Sequence, residues 1–172
     1  MGIALIIMVM VLTITLQPVL RSIKKILRRK DPTLNSDYQF EDFVCNDVFN
    51  AQQYQALHLL SKPGTILTAE EKHKLPDLRL KNLANGEQFY VRCSYHESIN
   101  HQQIKFCDEQ RLQHFKTITE IPVYVFIGIG GPAHFPDNLY MVPLSQLASY
   151  KVETPVLEQY SFKFGQNIDF PI

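Results

Sequence analysis

The chain has 172 residues, enough for one domain of ordinary size, and its 45% hydrophobic and 20% charged residues exclude wholesale disorder. Three cysteines, none spaced as C-x-x-C, exclude a disulfide scaffold or a zinc ribbon. The net charge of +0 hides a division. Arg21, Lys24, Lys25, Arg28, Arg29 and Lys30 all precede the first acid, Asp31, which leaves eleven Lys and Arg against seventeen Asp and Glu over residues 31–172, a net of −6.

Residues 3–16 (IALIIMVMVLTITL) are apolar apart from two threonines, and Val19 and Leu20 extend the run to 18 residues between Gly2 and Arg21. A helix needs roughly 17–25 such residues to cross a bilayer. No basic residue precedes the run, and bulky or basic ones follow it, unlike a cleaved secretory signal. Residues 1–20 are therefore expected to form an uncleaved transmembrane anchor, with the positive-inside rule holding the rest of the chain on the cytoplasmic face. At the start of the basic juxtamembrane helix and linker (21–37), Val19, Leu20, Ile23, Ile26 and Leu27 recur at three- and four-residue steps and leave Lys24, Lys25, Arg28 and Arg29 mostly on the other face. That stretch either lies along anionic lipid headgroups or serves only to orient the anchor. N-myristoylation is unsupported, because Ile6 stands where that motif needs Ser or Thr.

Asp31-Pro32 breaks the basic helix, and residues 31–37 read as a linker. Phe40, Phe43, Val44 and Val48 predict a helix to about Asn50, followed by a second element around 53–60. Asp77–Leu80 reads as a short strand, Asn85-Gly86 as a hairpin turn and Gln88–Tyr95 as the returning strand. Residues 101–118 are expected to be helical. Val123–Ile129 (VYVFIGI) fits a strand buried on both faces, with a turn at Gly130-Gly131, a strand over Leu139–Val142 and a short helical piece at 144–149. Residues 38–150 thus form an α/β domain with a mixed sheet, and 151–172 a tail expected to pack along the surface. Gly128, Gly130, Gly131 and Ala133 fit G-x-G-x-x-A, but Pro132 and Pro136 lead into another strand rather than a helix, so these glycines make a tight turn and not a dinucleotide site. The six histidines and three cysteines show no metal-ligand spacing, and Cys93 reads as a core residue.

One ordered set is more specific. Glu41 lies on the first helix, Pro76-Asp77 opens a strand, QFYVRCSYHES follows the hairpin, Glu109-Gln110 lies on the next helix, and VYVFIGIGG leads to LYMVPL. Over residues 38–147 this resembles the PD-(D/E)XK nuclease superfamily, the restriction-endonuclease-like fold. The resemblance implies a mixed sheet flanked by helices. It also implies a divalent cation such as Mg²⁺ held by carboxylates on adjacent strands, with a lysine two residues beyond the second carboxylate. Asp77 matches the first carboxylate, and Glu41 and Gln110 match helix positions of the set. The E-x-K positions, however, are Arg92 and Ser94.

Arg92, Ser94 and His96 share one strand face by period-two alternation, with Val91, Cys93 and Tyr95 on the other. A cation at the second ligand position repels a metal ion. Arg92 is expected either to pair with Asp77 and Glu41 in the metal's stead or to be a solvated strand residue. The expectation is a membrane-anchored, catalytically inactive domain without cofactor, serving as a binding or scaffolding module for an unidentified protein partner. The −6 body argues against a nucleic-acid substrate. The alternative is a metal-dependent nuclease of this class with a rearranged site. A small-molecule or lipid enzyme sharing only the fold has no specific support.

Overall fold

The computed structural model describes residues 35–59, 74–99, 102–118 and 120–163. The expected anchor and the six basic residues after it lie outside the described residues, among which no helix is long and apolar enough to cross a membrane. Contacts divide the chain after Asn35.

Helix α1 (Ser36–Phe43) starts inside the expected linker and buries Phe40 and Phe43, three residues apart on one face. It widens into a π-helical turn over Val44–Val48, closed by the Phe49 N–H donating to the Val44 carbonyl. The element expected around 53–60 is a strand, β1 (Tyr54–Leu59), antiparallel to β2 (Leu78–Asn82). A turn at Asn85-Gly86, with Gly86 at φ 78°, joins β2 to β3 (Gln88–His96).

The helix expected over 101–118 begins later. Its first part is a strand, β4 (Gln103–Lys105), and α2 spans Glu109–Thr117. The helix starts where Asp108 caps it, its carboxylate accepting the Arg111 N–H at 2.8 Å. The upstream residues pair instead with β7 (Lys151–Glu153), a partner remote in sequence.

After α2, β5 (Val123–Ile129) runs parallel to β3 and is buried along its whole length. Gly130 and Gly131, at φ 71° and 62°, turn the chain into β6 (Asn138–Pro143), with no helix starting at the glycines. A single 3₁₀ turn (Leu144–Gln146) replaces the longer helical piece expected at 144–149. The stretch expected as a surface tail folds into the body as β7, the short helix α3 (Thr154–Glu158) and β8 (Ser161–Phe162). Its Leu157 is fully buried, and β8 pairs with β6.

The six-stranded sheet has the order β1-β2-β3-β5-β6-β8, and β4 with β7 forms a separate two-stranded ribbon. Its two faces carry two cores. Phe40, Phe43, Phe49, Phe89, Val91, Cys93 and Phe126 form the one under α1. Phe106, Leu112, Phe115, Val125, Ile127 and Leu157 form the one under α2 and the ribbon. Strand alternation therefore sends Cys93 towards α1 and Arg92, Ser94 and His96 towards α2.

Candidate functional site: an arginine–aspartate cluster

Asp77 sits immediately before β2, and the Leu78↔Val91 register brings it opposite Arg92 at the start of the ladder. Its Oδ2 accepts the Cys93 backbone N–H at 2.7 Å, taking the place of a strand carbonyl. Arg92 Nη1 donates to both carboxylate oxygens, at 2.8 and 2.7 Å, while Arg92 Nε donates to the Phe106 carbonyl at 3.0 Å. The guanidinium thus spends one nitrogen on the carboxylate and another on the segment between β4 and α2. From α2, Arg111 Nη2 stands 3.4 Å from both Asp77 Oδ1 and the Leu75 carbonyl. Asp77 therefore accepts from two arginines and a backbone amide, with only 5% of its side chain exposed.

Burial alone would lower the Arg92 pKa, but the charge of Asp77 and its hydrogen bond outweigh burial and the net direction is upward. Arg111 is moved down, first by burial and then by the neighbouring Arg92 cation. Both stay charged at any physiological pH, so two cations share one anion.

Two residues along, Ser94 is buried with its Oγ 3.0 Å from His96 Nε2. Burial and the Arg92 charge lower the His96 pKa, against the pull of Asp37 and a hydrogen bond to the Lys105 backbone. Arg92 and His96 thus tie consecutive residues, Phe106 and Lys105, onto the face of β3. This face of β3 is a polar seam stitched to the β4 segment.

Glu41 comes from a different helix. It lies on α1, against the opposite face of β3, where its charge acts on Cys93. The expected pairing of Arg92 is made with Asp77. Gln110 is exposed on α2 and stays outside the cluster. Arg111, one residue further, is the helix side chain that reaches Asp77. Cys93 is buried, and burial first, then Asp77 and Glu41, push its thiol well above its ordinary range, as suits a core residue. Cys107 is pushed up to about 11, chiefly by burial.

The donor set does not fit a divalent cation. Asp77 is bonded to Arg92 and Arg111, and among the described residues no group of three His, Cys, Asp or Glu side chains is placed to hold a metal. The fold and cluster define a mixed α/β domain in which a buried carboxylate is neutralised by arginines from a neighbouring strand and helix. No family model, no curated protein and no solved structure matches the chain.

Proposed function

We propose that this chain is a membrane-tethered, non-catalytic domain of the nuclease-like type, acting as a binding or scaffolding module on the cytoplasmic face. The observation that carries this reading is the Asp77 carboxylate, which accepts from Arg92, Arg111 and the Cys93 amide where an active member would bind a metal. The order of helix, strand hairpin, crossover helix, buried strand and further strand is the order the resemblance calls for. The β4 segment supports the same conclusion, since Lys105 and Phe106 close over the face that a phosphodiester would have to approach. The −6 balance of residues 31–172 adds a long-range repulsion for polyanions.

The test is a cleavage assay on full-length chain with single- and double-stranded DNA and RNA in Mg²⁺ and Mn²⁺. The wild type should give no cleavage above background. Divalent-dependent cleavage that Asp77→Asn abolishes would overturn the reading in favour of a nuclease with a rearranged site. The partner is sought by crosslinking in intact membranes, with an Asp77→Asn chain as the comparison.

A further inference from the structure

The ribbon that covers the arginine cluster has an outer face of its own. Its middle pair, Ile104 and Val152, points inward and is buried, which sends the flanking pairs Gln103↔Glu153 and Lys105↔Lys151 outward. Lys105 and Lys151 are therefore like charges directly opposite each other across an antiparallel pair, an arrangement that destabilises a sheet. Both ammonium groups lie over the ring of Tyr150, at 5.8 and 5.5 Å from its centroid. A third cation arrives from α2, where Lys116 Nζ reaches the Ala148 carbonyl at 3.4 Å.

Neither Lys105 nor Lys151 forms a salt bridge among the described residues, although acids outnumber bases over residues 31–172. Glu153 shares their face but sits across from Gln103. Residues Ser149 to Lys151 are held in place by two hydrogen bonds. The Lys151 N–H donates to Ser149 Oγ at 3.3 Å, and the Phe106 N–H to the Tyr150 carbonyl at 3.2 Å. The repulsion between the lysines is thus built into a fixed register, and a doubly charged anion would relieve it.

We propose that Lys105 and Lys151, set against Tyr150 from the two strands of the ribbon, with Lys116 at the nearby Ala148 carbonyl, form a binding site for a phosphate group. The phosphate belongs either to a lipid headgroup or to a soluble phosphorylated ligand. Its oxygens would accept charge-assisted hydrogen bonds from the ammonium groups. The site is separate from the Asp77 cluster and does not depend on the reading of that cluster as non-catalytic.

The test is calorimetric titration of inorganic pyrophosphate into full-length chain in phosphatidylcholine nanodiscs at low salt. Saturable binding is expected, and Lys105→Gln with Lys151→Gln should weaken it roughly tenfold, the loss of two charge-assisted contacts. Lys81→Gln, which removes one charge from β2, should leave it unchanged. Lys105 and Lys151 are exposed, so the paired glutamine variant, which loses their mutual repulsion together with their contacts to Tyr150, should melt close to wild type, and a folded protein remains for the comparison. Repeating the titration in nanodiscs containing phosphatidic acid separates the sources. Competition by the lipid assigns the site to headgroups, and unchanged affinity assigns it to a soluble ligand. No saturable binding by the wild type, or equal binding by the Lys105→Gln, Lys151→Gln chain, would overturn the proposal.

Discussion

Asp77 is the residue on which the account turns, and its environment makes a quantitative demand. Removing one partner of a buried ion pair costs about 3–5 kcal/mol, because the remaining charge is left uncompensated. Asp77→Asn leaves two guanidinium groups facing a neutral amide. Arg92→Gln leaves Asp77 still bonded to Arg111 and the Cys93 amide. Asp77→Asn should therefore lower the urea midpoint more than Arg92→Gln, and the reverse order would refute the cluster as drawn.

His96 supplies a second test at this scale. Its pKa lies below the ordinary 6.5, so the unfolded chain binds the proton more readily than the folded one. Its contribution to stability is complete above pH 6.5 and is lost as pH falls below that value through the folded pKa. Urea midpoints should begin to drop as pH falls below 6.5, and His96→Gln should flatten that drop. Arg111 shows why this scale was only partly legible from sequence. The neighbouring Gln110 was the candidate, and one residue rotates a helical side chain by about 100°. Only the cap at Asp108 settles which of the two faces the sheet.

At the scale of elements, local pattern and non-local pairing divide what could be read. The Asn85-Gly86 hairpin and the apolar β5 carry their signals within a few residues, and both stand where the sequence placed them. The strands β4, β7 and β8 have three, three and two residues, too few for a period, and each exists through a partner far along the chain. Their absence from the expectation made residues 101–108 look helical and residues 151–163 look like a tail.

A close contact locks α1 to the sheet. A Cβ on Gly128 would stand 2.5 Å from Phe40 Cε2, and Phe40 is fully buried. Gly128→Ala should cost about 1–3 kcal/mol through overpacking. Its thermal melt should fall accordingly, and a melt unchanged from wild type would show that α1 does not press on β5 as described.

For the whole molecule, the charge division at Asp31 and the arginine cluster point to one conclusion. The six basic residues before Asp31 suit a membrane surface, and the domain that follows holds the buried Asp77 carboxylate between arginines. If residues 1–20 anchor the chain, it should stay with membranes through alkaline carbonate extraction. Added protease should reach residues 36–163 only from the cytoplasmic side.

The central claim is that Asp77 serves cations of the protein and not a metal ion. It is tested most directly by titrating Mn²⁺ into full-length wild-type and Asp77→Asn chains, followed by electron paramagnetic resonance. The account predicts the same weak, non-saturating signal for both. Saturable binding by the wild type that Asp77→Asn abolishes would contradict it.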